Sequence, residues 1–188
     1  MSFVAQFGCS YAYESKGFGI GNHSLRKLWQ YVSMELDEID RRILRELQKD
    51  GRVQNVELAK RVGLSPSPCL RRVRLLEEAG VIDRYVALLN PSKIGMGLTV
   101  FARVWLTGQD AATVDRFTKR VKQLPQIVEC HLMAGDCDFL LRIVASNLDD
   151  YRQFQIDHLT RIEGVQSVKT EIPMQRIKVS SELPLPKD

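Results

Sequence analysis

Between residues 36 and 78 the apolar positions recur every three or four residues; from 98 to 172 stretches of alternation are interleaved with that helical spacing. In LDEIDRRILRELQKDG, the residues Leu36, Ile39, Ile43, Leu44 and Leu47 share one helical face, with Asp37 as the starting cap and Gly51 as the end. NVELAKRVG repeats the pattern with Val56, Leu58, Ala59 and Val62, capped by Asn55 and stopped by Gly63. A third helix begins at Ser65. Pro66 takes its first helical position and loses nothing there, because the first turn's N–H groups have no internal partner; Pro68 lies in the same turn. At ~100° per residue, Cys69, Leu70, Val73 and Leu76 gather on the side that faces the first two helices. Ser67, Arg71 and Arg74 point away, with Pro68 and Leu75 beside them and Arg72 on a flank.

The second half changes period twice. LTVFARVWL (98–106) is rich in strand-forming residues. DAATVDRFTKRVKQL sets Val114, Phe117, Val121 and Leu124 on a helical stripe behind Asp110. IVECHLMAGDCDFLLRIVA predicts two strands around Ala134-Gly135-Asp136. NLDDYRQFQIDHLTRIEG is a helix capped by Asn147, with Tyr151, Phe154 and His158 in line and Gly164 at its end, and VQSVKTEI is a last strand. The order β-α-β-β-α-β is the ferredoxin-like arrangement, so the fold class is α+β. Pro91-Ser-Lys-Ile-Gly marks the joint. The expected domains are therefore a helical one over 34–90, ending in a linker strand, and a sheet-containing one over 91–188. Residues 1–33 hold glycines and small polar residues without a lasting period and read as a flexible extension. Two explanations stay open for it: a genuine arm, or a segment upstream of a start at Met34.

Charge sharpens the picture near the third helix. Ala59 is small where a following helix crosses, and four residues later Gly63 suits the positive φ of a tight turn. Helix, glycine turn, helix is the helix-turn-helix unit, whose second helix enters the DNA major groove by its N-terminal residues. The Ser-Pro-Ser-Pro start suits approach to phosphates, and the arginines suit guanine edges or phosphates. Ser65, Ser67, Pro68, Arg71, Arg72 and Arg74 are the candidate contacts to double-stranded DNA. The competing explanation is a helical bundle with a solvated basic face. Across all 188 residues the net charge of +4 adds only weakly to the case.

The segment IDRRILRELQKDGRVQNVELAKRVGLSPSPCLRRVRLLEEAGVIDRYVALLNP closely resembles the leucine-responsive regulatory protein/AsnC (Lrp/AsnC) family, the feast/famine regulators, and ECHLMAGDCDFLLRI resembles the glycine-aspartate turn of that family's sensing domain. The similarity covers roughly 35–180 and looks closest to the leucine-responsive branch. It implies a winged helix-turn-helix domain followed by the ferredoxin-like domain, and a bacterial or archaeal transcription regulator. It further implies homodimers that assemble to higher oligomers, often octamers, with a small amino acid bound near Gly135-Asp136 where dimers meet. One departure matters: the branch commonly carries an acidic residue where Arg71 stands and a basic one where Leu75 stands, so its preferred DNA sequence does not transfer unexamined.

In the sensing half, Phe101 and Trp105 alternate with the core residues of the first strand. An outer sheet face that apolar calls for a second sheet, hence a dimer. From spacing alone AGDCD is an ordinary Asp-containing turn. The resemblance makes it an effector site in which backbone N–H groups hold a carboxylate and Asp136 or Asp138 an ammonium; Met133, Ala134, Gly135 and Thr170 complete the candidates. Cys130, His131 and Cys137 do not suit a metal, because residues 130 and 131 of a strand point to opposite faces. His158 reads as a packing residue. The four cysteines are scattered without a CxxC, which fits reduced thiols. Neither a signal-peptide pattern nor an apolar run of the ~18 residues a membrane helix needs is found, so the expected location is cytoplasmic, with no membrane partner. No GxSxG, HExxH or phosphate loop is present, which argues against an enzyme, and no cofactor is expected. The remaining alternative is an architectural DNA-binding protein indifferent to ligand.

Overall fold

The computed structural model describes residues 35–185. The 1–33 extension and the reading of Met34 as a start lie outside the described residues. Two compact units divide between Val86 and Ala87, and residues 181–185 belong with the first.

The first unit is built from α1 (Glu38–Lys49), α2 (Asn55–Val62) and α3 (Pro66–Glu78). Asp37 accepts from the Asp40 N–H at 2.8 Å and Asp40 accepts from the Asp37 N–H at 3.3 Å, a reciprocal cap. Gly51 is not a left-handed cap: a Cβ there would stand 3.3 Å from the Tyr85 ring, so close packing explains the glycine. Asn55 is not a cap either. Gln54 holds that position, and the Asn55 amide instead donates to the Pro66 carbonyl at 2.8 Å, tying α2 to the start of α3. Gly63 does adopt the left-handed conformation, at φ 77°.

Ile43, Leu44, Leu58, Ala59, Val62, Cys69, Val73 and Leu76 form the core of this unit. Leu70, expected among them, is 39% exposed. Three helices around so small a core admit only a narrow stripe of α3, and Cys69, Val73 and Leu76 already fill it. Past α3, Gly80 turns the chain and the N–H groups of Val81 and Ile82 bond the Leu76 carbonyl. The linker strand expected at the end of the 34–90 domain is not found: residues 83–90 form no ladder with any described strand. Near the C-terminus the Gln48 amide pairs with both backbone groups of Leu183, and Leu185 packs on the helical core.

The second unit follows a short turn at Pro91–Ile94. Its elements are β1 (Leu98–Leu106), α4 (Ala111–Val121), β2 (Ile127–Leu132), β3 (Phe139–Ala145), α5 (Leu148–Phe154) and β4 (Val165–Glu171). The sheet order is β2-β3-β1-β4 with every pairing antiparallel, the order of a ferredoxin-like domain. Val100, Ala102, Val104 and Leu106 of β1 meet Phe139, Leu141 and Ile143 of β3 beneath Phe117, Val121, Tyr151 and Phe154. Phe101, Arg103 and Trp105 alternate onto the other face, half-buried. After Phe154 a π turn (Gln155–Leu159) adds a residue to the helical repeat. Leu159 therefore drops into the core, while His158 stays half-buried against the Phe154 ring.

Candidate nucleic-acid interface and ligand turn

On α3, helical periodicity separates a buried side (Cys69, Val73, Leu76) from an exposed one carrying Ser67, Leu70, Arg71 and Arg74. Ser65 occupies the N-cap position, yet its hydroxyl makes no capping hydrogen bond. Among the described residues neither Arg71 nor Arg74 has an ion-pair partner, so both cations face solvent. Pro66 and Pro68 carry no N–H and the Cys69 N–H bonds the Ser65 carbonyl, so of the first turn's backbone only Ser67 adds a donor to that charge.

Arg72 is different. Its Nη1 lies 2.7 Å from Asp37 Oδ2 and 2.8 Å from Asp40 Oδ1, and Asp40 is the one charged residue buried among those described. The pairing keeps Arg72 firmly protonated, first through the bond to Asp40 and then through that to Asp37. Asp37 is held below the ordinary carboxylate range by the Asp40 N–H and, beyond that, by Arg72. Of the six expected DNA contacts, Arg72 is thus turned inward to fasten α3 to α1. Ser65, Ser67, Arg71 and Arg74 are exposed and Pro68 is half-buried beside them.

In the second unit the 133–138 turn is pinned at its neck. Asp138 receives the Leu106 N–H at 2.7 Å and the Gln109 amide at 2.7 Å through its carboxylate. Its backbone bonds Val104 and Met133. Asp138 therefore anchors the turn to β1 and has its carboxylate oxygens occupied. Asp136 is freer: its side chain is 82% exposed, 3.9 Å from Arg103, and its carbonyl accepts from Trp105 Nε1 at 2.5 Å. Gly135 has no left-handed φ and a Cβ there would touch nothing within 4 Å. Among the described residues, neither backbone strain nor packing calls for glycine here.

Met133, Ala134, Gly135 and Asp136 come together on the turn. Thr170 does not join them. It pairs with Ala102 on the helix-covered face and its hydroxyl bonds Tyr151 at 2.7 Å, whereas Asp136 reaches Trp105 and Arg103 on the outer face. Sequence reasoning missed Arg103 as the residue linking Asp136 to β4, where it also meets Glu171 at 3.3 Å. The alternation on β1 would have revealed it. Further along the outer face a groove of about 1090 Å³ runs past Leu98, Phe101, Glu129 and Arg142, bordered by residues 173–179.

A reading head of this kind in the same chain as a ligand-binding α+β unit defines a ligand-responsive DNA-binding regulator, and the comparisons agree. Residues 36–83 match the winged helix-turn-helix DNA-binding family, and residues 99–183 match the Lrp/AsnC ligand binding domain. The leucine-responsive regulatory protein of Rhizobium meliloti (strain 1021) is 50% identical over 147 residues, 78% of this chain and 94% of that protein. The chain belongs to the Lrp/AsnC family of transcriptional regulators. The leucine-responsive regulatory protein of Escherichia coli (strain K12) is 46% identical over 149 residues, covering 79% of this chain and 91% of the relative. Among solved structures, a transcriptional regulator from Neisseria meningitidis in complex with L-methionine superposes with a TM-score of 0.77 at 37% identity, over 80% of this chain and 97% of that one. These relatives are regulators and not enzymes. Among the described residues no helix is long and apolar enough to cross a membrane.

Proposed function

We propose that α3 lies in the major groove of double-stranded DNA, contacting it through Ser65, Ser67, Pro68, Arg71 and Arg74, and that a small amino acid bound at residues 133–136 alters DNA binding or assembly. The observation that carries the DNA reading is the pair of exposed arginines, which have no ion-pair partner among the described residues, opposite the buried helix side of Cys69, Val73 and Leu76. Arginine in that state contributes either phosphate attraction or bidentate guanine recognition. Arg72 is left out of the contact set because its guanidinium is already engaged. For the effector, Asp136 supplies an acceptor for an ammonium and the turn around Gly135 supplies backbone donors for a carboxylate. The L-methionine complex of the Neisseria relative supports an amino acid in this role.

The half-buried aromatic face of Phe101 and Trp105 supports a homodimer through a second copy of the sheet, and family membership supports further assembly up to an octamer. A cytoplasmic location fits a DNA-binding regulator. The test combines two measurements on the whole protein. Thermal unfolding with each of the twenty amino acids should single out at least one that raises the melting temperature, since a ligand of the folded state stabilises it. That amino acid should then change DNA affinity or sedimentation. A protein that binds DNA while no amino acid changes its melting, affinity or assembly is the architectural alternative.

A further inference from the structure

On α3 two leucines, Leu70 and Leu75, stand among the polar side chains on the exposed side. Leu70 is 39% exposed, three residues after Ser67, next to Arg71 and one turn before Arg74. Single exposed leucines are common and need no explanation by themselves. Leu70 differs in its company, because it stands between the exposed Arg71 beside it and the exposed Arg74 one turn on. The other exposed leucine of the helix, Leu75 at 45%, lies nearer the acidic end, beside Glu77 and Glu78. Phosphates disfavour that end, so Leu75 is the poorer candidate for contact with a duplex.

Resting on the proposal that α3 reads DNA, we infer that Leu70 is a specificity-determining residue that packs on the C5-methyl of a thymine. That methyl is the apolar group a duplex presents in the major groove, and the hydrogen-bonding residues around Leu70 have no means of recognising it. The arginines then supply affinity and guanine contacts, and Leu70 supplies a preference for thymine over cytosine at a neighbouring position. No covalent step is involved; the recognition is contact between two apolar groups that both leave water.

The experiment uses the whole protein and the duplex it enriches from a random pool. Each thymine of that duplex is replaced in turn by deoxyuridine, which removes the methyl and nothing else. The expected result is a thymine whose replacement weakens binding roughly fourfold in the parent, the size expected for one buried carbon. L70A should bind the thymine and deoxyuridine duplexes equally while melting like the parent, because Leu70 lies outside the core. Methyl sensitivity that persists in L70A, or a parent insensitive at every thymine, overturns the inference while leaving DNA reading by α3 intact. If R71A and R74A bind the enriched and random duplexes like the parent, the reading of α3 itself falls, and the inference with it.

Discussion

The guanidinium of Arg72 sits 2.8 Å from the buried carboxylate of Asp40, so the helix proposed to read DNA is fastened to the N-terminal cap of α1. Asp40 also receives the Asp37 N–H, and Arg72 bonds Asp37 as well. Removing Arg72 leaves a buried carboxylate with only its capping bond. Loss of one partner from a fully buried pair costs about 3–5 kcal/mol, and since Arg72 still reaches water the expected cost of Arg72→Gln is about 2 kcal/mol. Chemical denaturation measures it, and Asp40→Asn in the same background should recover part of the loss. A parent-like midpoint for Arg72→Gln would show that the pair does not hold the helix.

The same variant separates holding from contacting. Arg71→Gln and Arg74→Gln should leave the melting temperature unchanged. Each that neutralised a phosphate should lower the slope of log K against log salt by about 1. Each that bound a guanine should lose about 1–3 kcal/mol of discrimination at one position. Arg72→Gln should weaken binding to all sequences with the parental salt slope. DNA titrations at several salt concentrations read all three; a reduced slope for Arg72→Gln would return that residue to the contact set.

Periodicity placed the core elements because each buries a continuous stripe, whereas β2 and β4, which bury no residue fully, were marked by their strand-forming residues and the turns beside them. β1 alternates cleanly, and Cys69, Val73 and Leu76 fall where 3.6-residue spacing puts them. Features that depend on a partner elsewhere in the chain were not legible. Gly51 is glycine because of Tyr85, Asn55 turns to Pro66, and Arg72 turns to two aspartates more than thirty residues before it. The π turn hid in the same way, since one extra residue moves Leu159 into the place the pattern gave to His158. At the candidate site, spacing marked the 133–138 turn but could not tell Asp136, which is exposed with only a 3.9 Å contact to Arg103, from Asp138, which is spent on Leu106 and Gln109.

Tyr85 gives the helical unit an alkaline limit. Its hydroxyl donates to Glu77 Oε1 at 3.0 Å, and burial followed by that bond pushes its pKa up from 10.0 to about 12. The folded state thus favours the protonated phenol. The associated stability is fully present below about pH 10, where the unfolded side chain titrates, and is lost as pH rises toward 12. Half of the side chain faces solvent, which reduces the effect to about 1 kcal/mol. Melting curves should therefore fall more steeply across this range for the parent than for Tyr85→Phe. Parallel curves would show that neither burial nor the Glu77 bond favours the protonated phenol in the folded state.

Two glycines of the ligand-binding unit should respond oppositely to alanine. At Gly164, φ is +93° and a Cβ would lie 2.7 Å from Thr113 Cγ2, so Gly164→Ala combines backbone strain with a steric clash. It should destabilise the protein by about 1–3 kcal/mol. At Gly135 there is neither positive φ nor any atom within 4 Å of the added carbon. Gly135→Ala should melt within about 0.5 kcal/mol of the parent. If the turn holds an amino acid through its backbone N–H groups, however, the added methyl obstructs the approach, and the variant should lose the thermal stabilisation that the amino acid gives the parent. Asp136→Ala should lose the same response by a different route, the missing acceptor for the ammonium. Because a ligand shifts an assembly equilibrium only through unequal affinity for its states, both variants should also stop responding in sedimentation while unliganded DNA binding persists. An unchanged ligand response in both, with intact folding, would put the sensor elsewhere in the unit.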